Sequence, residues 1–118
     1  MHMPLEQFSN VVACLALIAF GVYAILRPVE AAAIAHLKPD DAISTAEIRI
    51  SFGGLSGLMG VAPLILGEPV AYQVVGIVFL GAFILRLITM VVDHPEPERM
   101  FVISGIFELV VGLVLFIR

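Results

Sequence analysis

Four long apolar segments, joined by short polar stretches, dominate this chain and constrain what it can fold into. Each has close to the roughly 20 residues that a helix needs to cross a hydrocarbon core of about 30 Å. Read with a window of about 19 residues, they predict four transmembrane helices. The predicted spans lie at about residues 7–26, 48–67, 70–92 and 100–117.

The composition agrees with a membrane protein. Of 118 residues, 61% are hydrophobic and only 14% are charged. Small soluble folds bury only part of their surface, so a soluble domain of this size has too little interior for so much apolar side chain. We therefore predict a single integral membrane domain, residues 1–118.

The polar residues argue against several classes of function. The net charge is -4 and the six basic residues are scattered, so no nucleic acid partner is expected. The single cysteine, Cys14, has no partner for an internal disulfide. His36 and His94 stand in separate loops and supply too few ligands for a metal site. No nucleophile and base pair or phosphate-binding loop is recognisable, and we predict no catalytic residue.

The connections between the spans predict the order of the helices in space. Residues 67–69 form a turn short enough to force an antiparallel hairpin, and residues 93–99 are nearly as tight. Short connections make consecutive helices neighbours, which predicts an all-α, up-down four-helix bundle. Residues 28–37 are apolar and Ala-rich but too short to cross, and they predict a short helix at the membrane interface.

A capping pattern precedes the second span, in the stretch STAEIRISFGG at residues 44–54. Ser44 and Glu47 have the spacing of a capping box, in which the serine caps a helix and the glutamate bonds back to the serine N–H. The acid also suits the positive end of a helix dipole. Capping is therefore the first expected role of Glu47.

Small residues follow Arg49 along the second span. Steps of about one helical turn lead from this arginine to Gly53, Gly57 and Gly60. Small residues at this spacing let helix backbones approach closely in lipid, so we expect the stripe to pack against another helix. Two roles are open for Arg49: it extends to the lipid headgroups, or it stands at the head of a binding groove.

Two charged residues lie inside predicted spans, Arg86 in the third and Glu108 in the fourth. A charge at such depth costs about 2.5 to 3.5 kcal/mol on insertion scales, so it is expected to pair or to face a polar cavity. Each lies eleven residues from Pro97, and antiparallel helices of equal rise bring both to the same depth. We predict an Arg86–Glu108 ion pair.

Gly105 and Gly112 share the face of Glu108 and leave room for a helix or a ligand.

Further polar residues extend this pair into a candidate ligand-binding cluster. Asp93 follows Arg86 by seven residues, on the same helix face, and the second span begins on the same side of the membrane. Two interpretations are open: a site for a small polar or amphipathic molecule, or an ion-pair network that fixes helix register. The cluster consists of Glu47, Arg49, Arg86, Asp93 and Glu108.

The same residues carry a resemblance to a known family. With EIRISFGG at residues 47–54, Arg86 and Asp93 in the third span and Glu108 in the fourth, the chain resembles an uncharacterised bacterial family of small four-helix membrane proteins, a domain of unknown function. The likeness covers nearly the whole chain. More distantly, the layout is similar to the DoxX-like four-helix proteins, some of which are tied to quinone-linked oxidation. The resemblance implies a bacterial protein, expected in the inner membrane, with a shared motif and no established activity.

Three functions are compatible with these features. We favour a non-enzymatic membrane protein, either an accessory subunit or a lipid- or quinone-binding module. The alternatives are a small proton-linked transporter that acts as an oligomer with Glu108 as its titrating acid, and a membrane enzyme that acts on an apolar substrate. No resident cofactor is predicted, and a quinone or a lipid is left open as ligand. Membrane lipids are the expected partners, with a homo-oligomer or a larger membrane complex left open.

The basic residues predict the orientation in the membrane. Arg27, Lys38 and Arg99 flank the two loops on one side, with Arg49 close by, whereas Arg118 stands alone on the other side. Because short cytoplasmic loops carry an excess of Lys and Arg, both termini are expected to face away from the cytoplasm.

Overall fold

The computed structural model describes residues 5–93 and 99–117, with only the backbone described at residues 5 and 6. The described residues contain helices, turns and no strand, which confirms the all-α class. The four longest of the described helices have the length and hydropathy needed to cross a membrane. The helices are α1 Leu5–Leu26, α2 Pro28–Ile34, α3 Ala42–Leu66, α4 Pro69–Val92 and α5 Arg99–Phe116.

Proline and glycine set several of the helix boundaries. Pro28 disfavours helical geometry at Arg27, which has φ -132° and ψ 66°, and then occupies the first turn of α2. Gly67 ends α3 with φ 70°, a conformation that costs a glycine little. Glu68 is extended and Pro69 starts α4. The predicted tight turn between the second and third spans thus separates two long helices.

The end of α2 is a Schellman motif. The N–H of Leu37 donates to the carbonyl of Ala32 over 3.0 Å, and the N–H of His36 donates to the carbonyl of Ala33 over 3.0 Å. His36 has φ 61°, the left-handed conformation that this motif requires. The predicted short helix therefore ends at Ile34, before residue 37, and its location at the membrane interface stays a prediction.

The predicted capping box of Ser44 and Glu47 is wrong, because a different pair of residues forms the box. Asp41, not Ser44, caps α3: the Ser44 N–H donates to Asp41 Oδ1 over 2.7 Å, and the Asp41 N–H donates to Ser44 Oγ over 3.2 Å. Aspartate is among the strongest N-cap residues, so α3 begins at Ala42 rather than directly after Ser44. Glu47 consequently lies in the second turn of the helix, exposed and too late to form the box.

A π-helical segment, Arg49–Leu55, interrupts α3 between its α-helical parts Ala42–Ile48 and Ser56–Leu66. A π turn adds a residue to the helical turn and rotates the faces on either side of it relative to each other. The glycine stripe was predicted on regular α-helical spacing from Arg49 to Gly60, and that spacing is wrong through this segment. No pattern in residues 44–54 predicts the π turn.

Contacts divide the chain into two units. The N-terminal unit is Val11–Gly67, and the C-terminal unit is Glu68–Arg118 with the start of α1 up to Asn10. The arrangement of the four long helices as an up-down bundle stays a prediction.

In the N-terminal unit, α1 and α3 pack in opposite directions. Gly60 of α3 lies against the carbonyl of Cys14, and Ser56 Oγ donates to the carbonyl of Leu17 over 3.3 Å. Further along α1, Phe20 meets Phe52 with 6.4 Å between ring centroids. Partners thus come from progressively earlier positions of α3 as α1 advances, which is the pattern of an antiparallel pair.

The closest helix contact in this unit depends on Gly21 of α1. A Cβ at Gly21 would lie 2.7 Å from the Cα of Gly57 and 2.7 Å from the carbonyl oxygen of Gly53. A Cβ at Gly57 would lie 3.8 Å from the Cα of Gly21, an ordinary contact distance. Of the predicted stripe, Gly53 and Gly60 are therefore the tightly packed members, and Gly21 is a close contact that the glycine pattern of the second span did not predict.

In the C-terminal unit, α4 and α5 form an antiparallel hairpin. A Cβ at Gly76 of α4 would lie 2.7 Å from the backbone nitrogen of Phe116, and one at Gly112 of α5 would lie 2.8 Å from the side chain of Leu80. Phe79 and Phe107 meet edge to face with 6.5 Å between ring centroids. These contacts set the register of the hairpin, which positions the charged residues of α4 and α5 opposite each other.

Candidate functional site

The ion pair between α4 and α5 is the centre of the candidate site. Arg86 Nε donates to Glu108 Oε1 over 2.8 Å, and Arg86 Nη2 donates to Glu108 Oε2 over 2.8 Å. The two side chains are only 21% and 17% exposed. This two-point geometry is the strongest form of an arginine–carboxylate contact. The pairing expected from the spacing of the two residues about Pro97 is present.

Phe101 holds the guanidinium on another side. Arg86 Nη1 donates to the carbonyl of Phe101 over 3.3 Å, and the guanidinium carbon lies 4.7 Å from the centroid of the Phe101 ring. A cation above an aromatic face is attracted by the ring quadrupole. Phe101 lies two helical turns before Glu108, so one face of α5 supplies both contacts.

Gly105 makes space for the arginine to cross α5. A Cβ at this position would lie 2.9 Å from Arg86 Cδ and 3.5 Å from Arg86 Nε. The aliphatic part of the side chain therefore lies directly on the backbone of α5, one turn before Glu108. On α4, the Thr89 hydroxyl donates to the carbonyl of Arg86 over 2.8 Å.

Among the described residues, the partners of the guanidinium do not use all of its N–H groups. Of its five N–H groups, the described contacts use three: one on Nε, one on Nη1 and one on Nη2. The pair as a whole carries no net charge. It can therefore offer hydrogen bonds to a neutral oxygen acceptor, while a free anion would meet a carboxylate beside the donors.

Arg49 and Glu47 occupy the N-terminal unit. Arg49 is exposed and its Nε donates to the carbonyl of Ile25 over 3.0 Å. A cation at the C-terminus of a helix is favoured by the helix dipole, so Arg49 completes the end of α1. Whether these two residues join the Arg86–Glu108 pair in one cluster stays a prediction.

Asp93 lies directly after α4, where it is exposed and its N–H donates to the Thr89 carbonyl over 2.8 Å. The described partners of Arg86 are Glu108 and Phe101, and its contact with Asp93 is not seen among the described residues. Arg86 and Glu108 of the predicted cluster are in contact, and the grouping of the other three residues with them stays a prediction.

Phe101 contacts the guanidinium and the Thr89 hydroxyl bonds to the backbone of Arg86, and neither residue was among the predicted ones. The sequence spacing could have indicated both residues: Thr89 follows Arg86 by three residues and Phe101 precedes Glu108 by seven, so each shares a helix face with the charged residue.

In the part of the chain that the structure describes, no group of three His, Cys, Asp or Glu side chains lies close enough to hold a metal. His94 lies outside the described residues.

A family match covers almost the entire chain. The model of the domain of unknown function DUF4345 matches residues 5–118. The chain belongs to this family. The predicted membership in an uncharacterised domain family is confirmed, while the bacterial origin and the likeness to DoxX-like proteins stay predictions. No curated protein and no solved structure matches the chain.

Proposed function

We propose that this member of DUF4345 is a non-enzymatic integral membrane protein that binds the oxygen-bearing group of an apolar molecule, a lipid or a quinone, at the Arg86–Glu108 pair. In this proposal the four long helices cross the membrane as an up-down bundle, α2 lies at the interface and both termini face away from the cytoplasm. The length and hydropathy of the helices support the crossing.

The observation that carries the proposal is a partly exposed ion pair with spare donors inside two apolar helices. Polar groups in the hydrocarbon layer are costly when they lack a partner. Two guanidinium N–H groups beyond the three described bonds therefore favour an acceptor from a lipid or ligand. Exposed apolar side chains on both helices, such as Leu85 and Ile106, would contact the hydrocarbon part of the same molecule.

The geometry favours binding over proton transport. Both carboxylate oxygens of Glu108 accept hydrogen bonds from Arg86. Protonation of Glu108 would break this two-point contact and leave a lone cation in the membrane, which opposes a transport cycle. The proposed role is therefore that of a stable polar anchor, as expected of a binding module or an accessory subunit.

A binding measurement tests the proposal. The purified protein in detergent would be titrated with a ubiquinone analogue and with a phospholipid, and adducts would be counted by native mass spectrometry. We expect saturable adducts that are lost in Arg86→Leu/Glu108→Leu, which removes both charges together. The matched control is Arg27→Leu/Glu30→Leu, since these residues form an exposed ion pair of 3.1 Å elsewhere. Equal binding by the first double variant and the parent protein would reject the site.

A further inference from the structure

A groove lies in the N-terminal unit, between the loop after α2 and the first two turns of α3. Its volume is about 430 Å³. Three charged residues line it, Lys38, Asp41 and Glu47, and Lys38 is the only lysine of the chain. Its apolar lining includes Leu37, Ile43 and Ile48.

Two local motifs hold the walls of the groove in place. The Schellman motif at the end of α2 fixes the backbone at Leu37, directly before Lys38. The capping box between Asp41 and Ser44 fixes the other end of the loop to the first turn of α3. The loop is therefore anchored on both sides of Lys38.

The position of the groove along α3 corresponds to the headgroup layer of a membrane. The 25 residues of α3 extend about 37 Å, more than the hydrocarbon core of about 30 Å. Residues 50–66 carry no charge, whereas Glu47 and Arg49 do, so the excess length falls at the N-terminal end. Ile43 is 74% exposed beside these charges, as expected for a surface that meets both headgroups and acyl chains.

The charged residues of the groove favour a ligand that carries both a positive and a negative group. The hydrogen bonds from the Ser44 hydroxyl and then from the Ser44 N–H hold the pKa of Asp41 below its ordinary value, so it is a carboxylate at neutral pH. The lining of the groove thus includes two acidic side chains and one ammonium group. The excess of acidic side chains repels a ligand with a net negative charge and attracts an ammonium group.

We propose that the groove binds the phosphoethanolamine headgroup of a zwitterionic phospholipid. Lys38 contacts the phosphate, Glu47 accepts hydrogen bonds from the primary ammonium group, and the apolar walls contact the glycerol and the first acyl carbons. The lipid rather than a free metabolite is the occupant because exposed apolar side chains border the charges. This site involves none of the residues of the Arg86–Glu108 site.

The test compares lipids and variants in one assay. The full-length protein in detergent would be titrated with phosphatidylethanolamine and phosphatidylglycerol, and bound lipid would be measured by native mass spectrometry. We expect phosphatidylethanolamine to bind the parent more tightly, and Lys38→Gln and Glu47→Gln to weaken its binding by roughly threefold to fivefold each, the size typical of exposed charge pairs. Glu68→Gln is the matched control, since Glu68 is exposed and does not line the groove.

Three results would overturn the proposal. Phosphatidylglycerol could bind as tightly as phosphatidylethanolamine, Glu68→Gln could weaken binding as much as Glu47→Gln, or the Lys38 and Glu47 variants could bind like the parent. Soluble glycerophosphoethanolamine distinguishes a lipid from a free metabolite: full competition at equal concentration rejects the lipid as occupant, whereas competition only at large excess supports it. All three substituted residues are exposed, so the variants are expected to fold, with helix content checked by circular dichroism.

Discussion

Arg86 of α4 and Glu108 of α5 are joined by two parallel hydrogen bonds of 2.8 Å, although 22 residues separate them in sequence. The contact fixes the rotation and register of both helices, since each oxygen of the carboxylate meets a different nitrogen of one planar group. In a hairpin whose side chains are mostly apolar, this pair favours one defined arrangement. The same pair is the site of the proposed ligand.

Removal of one partner should cost more than removal of both. Glu108→Leu leaves the Arg86 cation without its carboxylate in an apolar setting, and the expected loss is about 3 to 5 kcal/mol of unfolding free energy. Arg86→Leu/Glu108→Leu should recover much of that loss. Unfolding in detergent, followed by circular dichroism, measures both. A double variant no more stable than the single one would show that the pair is not the stabilising interaction.

Gly105 should be intolerant of a side chain because Arg86 lies on it. The added carbon of Gly105→Ala would lie 2.9 Å from Arg86 Cδ and displace the guanidinium from Glu108. Overpacking costs about 1 to 3 kcal/mol and the alanine gains up to about 1 kcal/mol of helix propensity, so we expect a net loss of up to about 2 kcal/mol. Gly81→Ala is the control, since no atom of another described helix lies within 4 Å of a Cβ there. That variant should gain up to about 1 kcal/mol from helix propensity. Similar stabilities for the two variants would contradict this close packing.

The sequence predicted the features that depend on regular helix geometry. The long apolar helices follow from hydropathy, and the Arg86–Glu108 contact follows from an equal rise of two antiparallel helices. The predicted start of α3 was wrong because Asp41 competes with Ser44 as a cap, and both have suitable side chains. The π segment at Arg49–Leu55 has no recognised signal in its residues. The role of Gly21 depends on which faces of α1 and α3 meet, and the glycine spacing of α3 alone does not determine those faces.

The glycines of the N-terminal unit should differ in their tolerance. Gly21→Ala would place a carbon 2.7 Å from the backbone of α3, whereas Gly57→Ala would have 3.8 Å to the nearest atom of α1. Backbone atoms yield less easily than flexible side chains, so overpacking in Gly21→Ala should cost about 1 to 3 kcal/mol of stability. Gly57→Ala meets no close contact and should keep or slightly raise stability through helix propensity. Gly57→Leu, with its longer side chain, should disrupt the packing of α1 against α3. Melting temperatures in detergent would rank the variants. Equal values for Gly21→Ala and Gly57→Ala would show that α1 and α3 do not make their closest contact at Gly21.

The N-terminus of α3 should respond to acid through Asp41. Its carboxylate accepts the Ser44 N–H and the Ser44 hydroxyl, which lowers its pKa in the folded protein relative to the unfolded chain. A lowered folded pKa means that the stabilisation is complete above the unfolded value of about 3.9 and is lost as the pH falls through the folded value.

Hydrogen exchange at the Ser44 amide, measured against pH and corrected for the intrinsic rate, reports this contact directly. We expect protection that is constant near neutral pH and declines only below about pH 4. Asp41→Asn keeps an oxygen acceptor but does not titrate, so its protection should not change with acid. Asp40→Asn removes the neighbouring carboxylate but keeps the Asp41 cap. The Ser44 amide of this variant should show the same pH dependence as in the parent. A decline that persists in Asp41→Asn would assign the acid response to another group.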